Sequence, residues 1–209
     1  MIHKFIQIFI VLSISTLKFN CNNHTDDSKY KIEYYLDGTK KSEGLINNDS
    51  LKTGIWKFYY PNGNISNISH FFNGKKDGSS IQYFSNGQIS DSINYKNGKF
   101  YGNIKFYFPN GKLNQEAYHD ENGLSQGVFK IYYPSGKLRQ IGKCKNGLMV
   151  GESIEYYNNG NIEHNLYYNL LGKKDSIWAY YSISGIVYKK EYYKSDSLLR
   201  IWLPNNKQN

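Results

Sequence analysis

From Tyr30 onward the chain is written in short runs of alternating large apolar and polar residues, each cut off by a turn signal, and no run carries the 3.6-residue spacing of a helix. A period of two sends successive side chains to opposite faces of a strand. Trp56, Phe58 and Tyr60 therefore share one face, as do Ile104, Phe106 and Phe108, and Phe129, Ile131 and Tyr133. In the strand after each of these, the matching ladder is Ile65, Ile89, Leu113, Leu138, Ile162 and Val187, expected on that same apolar face. The opposite face repeats a single residue type, Tyr34, Tyr59, Tyr83, Tyr107, Tyr132, Tyr156 and Tyr181, with Lys57, Lys105 and Lys130 among its polar neighbours.

Glycines set the repeat length. Gly38, Gly63, Gly87, Gly111, Gly136, Gly160 and Gly185 recur at steps of 25, 24, 24, 25, 24 and 25 residues, too regular for chance. Nine residues before the landmark, units open at Gly54, Gly78, Gly102, Gly127 and Gly151, with Ser176 in the sixth place and Lys29 in the first. Between the two lies an aromatic strand and a turn such as Tyr59-Tyr60-Pro61-Asn62-Gly63 or Tyr107-Phe108-Pro109-Asn110-Gly111. Proline presets φ near −65° and Asn-Gly supplies the positive φ that reverses the chain, so Gly63, Gly87, Gly111, Gly136, Gly160 and Gly185 are structural turn positions. A second turn closes most units at Asn73-Gly74, Asn97-Gly98, Asn122-Gly123, Asn146-Gly147 and Gly172. The prediction is an all-β, elongated, single-layer antiparallel β-meander of about 14 strands over residues 30–203, with about six full units, partial caps and a disordered tail at 204–209.

The pattern G-x-x-x-x-Y-[YF]-x-N-G followed by a short strand and another Asn-Gly resembles the MORN repeat (membrane occupation and recognition nexus) in its bacterial variant form. Trp202 falls in the slot of Trp56 and Trp178, so the resemblance reaches the last strand. Departures are Ser176 for glycine, Lys194-Ser195-Asp196 in place of Asn-Gly, and a degenerate first unit. The resemblance implies a twisted sheet used for protein or lipid contact. Some bacterial members are classed as antitoxins of toxin–antitoxin pairs, which implies a second reading as a neutraliser of a partner toxin.

Composition narrows the class. Among 209 residues there are 21 Tyr and 11 Phe, which favours strands and argues against disorder despite a mean hydropathy of −0.66. Coiled coil, collagen and polytopic membrane protein are excluded. The 26 Lys+Arg exceed the 17 Asp+Glu, but the densest basic pairs, Lys40-Lys41, Lys75-Lys76, Lys173-Lys174 and Lys189-Lys190, lie far apart, so no nucleic-acid footprint forms.

Residues 1–20 carry Lys4 and then the apolar Phe5–Ile14 stretch, the outline of a signal peptide. Cys21 and the polar residues behind it, including Asp26-Asp27, resemble a bacterial lipoprotein processing site, although Lys18 and Asn20 depart from it. The expectation is a lipidated Cys21 with a tether over 21–29, in the cell envelope as an outer-membrane lipoprotein. Plain secretion and an uncleaved anchor are the alternatives. Lipidation would leave Cys144 without a disulfide partner.

Candidate chemistry is sparse. His70, His119 and His164 fall at unrelated offsets in their units and form no metal ladder. Asp91, Glu116, Glu155, Glu163 and Glu191 are likewise out of phase, so no acid–base pair is expected. Gly74-Lys75-Lys76-Asp77-Gly78-Ser79-Ser80 lacks the spacing and the helix of a phosphate loop. Cys144 replaces Phe71, Tyr95 and Tyr168 and reads as a small buried hydrophobe. What remains is the tyrosine ladder, which reads first as stacked cross-strand rings that brace the sheet and also as a candidate binding platform of Tyr59, Tyr83, Tyr107, Tyr132 and Tyr156 with Lys105 and Lys130, suited to protein, membrane or glycan contact. Trp56, Trp178 and Trp202 add a carbohydrate-binding alternative. No catalytic residue, metal or cofactor is expected, and the apolar face offers a route to a homodimer.

Overall fold

The structure, a computed structural model, describes residues 28–204, so residues 1–20, Cys21, most of the tether and all but the first residue of the expected tail at 204–209 lie outside it. Among the described residues there is no helix. β1 (Lys29–Tyr34) and β2 (Lys40–Ile46) make the first hairpin. β3 (Lys52–Tyr59) and β4 (Ile65–Phe72), β5 (Lys75–Tyr83) and β6 (Ile89–Lys96), β7 (Lys99–Tyr107) and β8 (Leu113–His119), and β9 (Ser125–Tyr132) and β10 (Leu138–Lys145) make the next four. β11 (Leu148–Met149) and β12 (Gly151–Tyr156) are one strand position interrupted at Val150, followed by β13 (Ile162–Tyr168), β14 (Ser176–Tyr181), β15 (Val187–Lys194) and β16 (Ser197–Trp202). All belong to one open antiparallel sheet in which neighbours in sequence are neighbours in space. The strands number 16 because the degenerate first unit is a whole hairpin and one strand is split.

Turn chemistry explains the uneven period. Within each unit the turn is a three-residue loop: Gly63 N–H donates to the Tyr60 carbonyl at 2.9 Å, and Asn62 Oδ1 accepts from Asn64 N–H at 3.0 Å. Gly63, Gly87, Gly111, Gly136, Gly160 and Gly185 hold φ of 84°, 84°, 79°, 88°, 97° and 85°. Between units two designs occur. Asn73-Gly74 (φ 45° and 77°), Asn97-Gly98 and Asn146-Gly147 are two-residue turns with both φ positive. Asn47–Leu51, Asp120–Leu124 and Asn169–Lys173 are one residue longer, and their first side chain closes them: Asp120 Oδ1 accepts from Asn122 and Leu124 N–H, both at 2.9 Å. The longer turns fall in the three 25-residue periods. Where Asn-Gly is lost, Ser195 and Asp196 still adopt φ of 46° and 71°, so the turn shape survives without its preferred residues.

A bulge in every second strand corrects one expectation. Phe58 pairs with Asn67 but Tyr59 pairs with Ile65, so Ser66 is an extra residue. The same slip recurs beside Tyr83, Tyr107, Tyr132, Tyr156 and Tyr181, which pair with Ile89, Leu113, Leu138, Ile162 and Val187. Paired residues share a face, so this aliphatic ladder lies under the tyrosines and not on the Trp56/Phe58 face. An inserted residue resets the period-two count.

The other face carries the core, as one row across the strands. It runs through Gly44, Trp56, Ser69, Ser80, Ile93, Ile104, Ala117, Phe129, Gly142, Ser153, Leu166 and Trp178, all buried. Large side chains lie on small ones: a Cβ at Gly44 would stand 2.5 Å from the Trp56 ring, and one at Gly142 would stand 2.8 Å from Phe129. In a single layer this overlap along the row is what excludes water.

Candidate interaction surface

The tyrosine ladder is not an open shelf of rings. Tyr59, Tyr83, Tyr107, Tyr132 and Tyr156 are all half-buried, each against its aliphatic partner in the next strand. Two are further fixed by carboxylates. Tyr132 O–H donates to Glu116 Oε1 at 2.9 Å, and Tyr59 O–H donates to Glu43. Burial and then the Glu43 carboxylate push the Tyr59 hydroxyl up to about 12, while Lys40 and Tyr59 hold Glu43 down at about 2. Bracing of the sheet is the direct consequence.

Openness lies one row further along the same face. Lys105, Glu116 and Lys130 are consecutive cross-strand partners on β7, β8 and β9, with Lys130 Nζ 3.5 Å from Glu116 Oε1. Beside them Tyr118 and Val128 are 43% and 46% exposed. Asn103, Lys105, Glu116, Tyr118, Val128 and Lys130 rim a groove of about 310 Å³. On the other side of Val128 a second groove of about 270 Å³ is rimmed by Ile141, Lys143, Glu152 and Ile154. A mixed first groove and a more apolar second one, with cations on their rims, can hold an extended chain or a flat group and add ionic contact at its edge. Lys105 and Lys130 thus belong to this surface, whereas the ladder forms its border.

Three features escaped the period-two reading. Tyr60 and Tyr133 sit past the ends of β3 and β9, and their hydroxyls donate to the carbonyls of Tyr83 and Tyr156 in the next unit at 2.6 and 2.7 Å. Tyr35 and Tyr157 do the same, whereas Phe84 and Phe108 lack the hydroxyl for it. A tyrosine directly after the ladder position was the available signal. Second, out-of-phase acids and histidine do meet. His164 Nδ1 lies 2.8 Å from Glu155, and Glu191 accepts from Tyr180 at 2.6 Å and Tyr193 at 3.0 Å while pairing with Lys189 at 2.7 Å. Register, not spacing, joins them. Glu191 is saturated by donors and stands below the usual carboxylate range, against the upward push of burial, because Lys189, Tyr180 and Tyr193 stabilise its charge. That is the arrangement of a brace. Third, the burial of Trp56 and Trp178, which the period of two put within reach for Trp56, counts against the carbohydrate reading, because it removes two of the three rings behind it.

Cys144 is half-buried against the apolar cluster on the core face. Among the described residues no group of His, Cys, Asp and Glu is placed to hold a metal ion. The family model of the MORN repeat variant matches residues 52–73, 76–97, 100–121, 125–146 and 149–169, together just over half of the chain. Each match is one hairpin with its turns. The unit opened by Ser176 falls outside the matches yet keeps the hairpin, with Ser176 at φ 59° where the others have glycine. Among curated proteins none matches the sequence.

Proposed function

Since the chain belongs to the MORN repeat variant family, whose repeats are commonly interaction modules and generally non-catalytic, we propose that it is a non-enzymatic docking surface held at the cell envelope by a lipid on Cys21. The partner is a protein, and it docks on the face opposite the buried row, in the two grooves either side of Val128. The observation that carries this reading is the division of labour between the faces. The chain covers one face with its own side chains and leaves grooves with Lys105, Lys130 and Lys143 at their rims on the other. Acidic segments suit such rims, and repeated shallow contacts add up across units.

Two experiments test it. Labelling cells with a fatty acid marks the wild type and not Cys21→Ser, and equal labelling of both ends the anchoring claim. Photo-cross-linking from Val128 in intact cells captures a partner that Lys105→Gln/Lys130→Gln loses, with the fold retained by circular dichroism. Capture unaffected by that variant rejects the surface. The antitoxin reading separates at the first step, because a cytoplasmic neutraliser stays in the soluble fraction.

A further inference from the structure

Among the described residues the sheet has two free edges, and they differ in character. β1 carries Lys29, Lys31 and Glu33 among its six residues, with Lys31 paired to Glu33 at 2.9 Å. Charges along an edge strand discourage other strands from adding to it. β16 reads Ser197-Leu198-Leu199-Arg200-Ile201-Trp202, and every residue of it is exposed, Leu199 at 67%. Its one charge, the Arg200 guanidinium, is drawn back over the Tyr192 ring of β15 at 4.1 Å. Among the described residues no strand pairs with the outer edge of β16. An apolar edge with a free row of N–H and C=O groups is a template for one more strand.

We propose that β16 pairs with β16 of a second copy of this chain, antiparallel about a two-fold axis, joining two arrays into one longer sheet. The direction of the strands selects a two-fold partner over a head-to-tail one. Fifteen strand positions alternate in direction along the hydrogen-bonded path, so β1 and β16 run parallel. Adding a second array in the same orientation would set β16 beside β1 as a parallel pair in an otherwise antiparallel sheet, the less stable arrangement. Two copies of β16 about a two-fold meet antiparallel.

The faces select the register. On β16, Leu198 and Ile201 lie opposite Tyr193 and Glu191, on the core face, whereas Ser197, Arg200 and Trp202 lie opposite Lys194, Tyr192 and Lys190, on the other. Leu199 is the extra residue at the register shift. Directly paired residues must share a face. Setting Leu198 against Ile201 of the second copy, and Ser197 against its Trp202, satisfies this for both pairings. It also places Arg200 against Leu199, so the two guanidinium groups never face each other. Sliding the pair by one residue either puts core-face residues opposite outer-face ones or confronts the two arginines. Other registers that keep the faces together, such as Ile201 against Ile201, pair fewer residues, and this one pairs all six of the strand. The buried row, which reaches Glu191 and stops under exposed Ile201, would continue through Leu198 of the second copy.

Sedimentation equilibrium on the full chain in density-matched detergent tests this, with circular dichroism reporting the fold. Leu198→Lys/Ile201→Lys sets two like-charge pairs across the axis, and Leu198→Glu/Ile201→Lys sets two opposite-charge pairs. The expected result is a dimer for the wild type and the mixed-charge variant and a monomer for the double-lysine variant. The mixed-charge dimer should weaken as salt rises while the wild-type dimer does not. That comparison stands even if the double-lysine variant fails to fold. A wild type that is monomeric throughout, a double-lysine variant as dimeric as the wild type, or a mixed-charge dimer indifferent to salt would each overturn the proposal.

Discussion

The units around Trp56 and those around Ile104 occupy the same row of the same sheet and fill it with opposite chemistry. In the middle, Ile93, Ile104, Ala117 and Phe129 pack as an apolar cluster with Tyr95, Phe100, Phe106, Ile131, Cys144 and Met149 against it. Toward β1 the row is one ring and a chain of small polar groups. Trp56 is fully buried, its Nε1–H donating to the Leu45 carbonyl at 2.7 Å, with Lys52 Nζ 4.4 Å above the ring. Next to it Ser69 Oγ donates to Asn67 Oδ1 at 2.5 Å and meets Ser80 Oγ at 2.7 Å, while Asn67 Nδ2 reaches the Ile81 carbonyl at 3.1 Å. A buried hydroxyl costs little once it is paired. The lesson is that the row demands alternating size and satisfied polar groups, not hydrophobicity. The turns, bulges and bonds from unit to unit are common to both regions.

The largest way to break the comparison is Trp56→Ala. It removes the one large fully buried side chain of the polar region along with its hydrogen bond, leaving Lys52 to the rings of Phe58 and Phe71, and should cost about 3–5 kcal/mol. Phe129→Ala, in a cluster with neighbours able to close in, should fall at the lower end of that range in the same denaturant titration. A reversed order would mean that Trp56 is not the anchor of its end.

A smaller and more diagnostic pair exchanges the two chemistries at equivalent depth. Ser69→Ala leaves Asn67 and Ser80 short of a partner, and Ala117→Ser puts an unpaired hydroxyl into the apolar cluster. Each should destabilise by about 1–3 kcal/mol in thermal melts. If Ser69→Ala were neutral, the serines would be mere filler and the account of the polar row would fail.

Much of this architecture was legible from the chain, and the gaps have physical causes. Gly63 to Gly185 gave the count and direction of the hairpins because reversal needs a positive φ, which few residues supply. The bulge left no such mark. Ser66, Ser90 and Asn114 are unremarkable residues, and skipping them sent the Ile65 ladder to the wrong face in the period-two reading. Ser69, Ser80 and Asn67 drew no reading, because polarity alone cannot report that a partner waits across the strand. The groove beside Val128 depends on register over three strands, and the meeting of His164 with Glu155 on the register of one pair, β12 and β13. The lysines of the platform were found from alternation alone, but the half-burial of its tyrosines follows from the bulge and was hidden with it.

The smallest expected effect separates the ends by pH. Glu43 is held at about 2 in the folded chain against an ordinary value of 4.5, chiefly by Lys40 and then by Tyr59. A depressed carboxylate contributes stability that is fully present above its unfolded value and is lost as pH falls through the folded one. Between pH 5 and pH 2, the melting temperature of the wild type should therefore drop slightly more than that of Glu43→Gln. Equal drops would show that this half-buried cluster contributes nothing.

Residue-resolved amide hydrogen exchange tests the central claim most directly, because it reads the opening of each hairpin separately. If paired polar groups and Trp56 serve the row as well as an apolar cluster does, amides of β4 and β5 should be protected to within about tenfold of those in β8 and β9, or ~1.4 kcal/mol. The inter-unit turn amides of Gly74 and Gly98, bonded to the carbonyls of Lys52 and Lys76 at 2.8 Å, should be protected along with them. Exchange in β4 and β5 faster by several orders of magnitude, with β8 and β9 still slow, would contradict the account and make the apolar middle the only real core of the sheet.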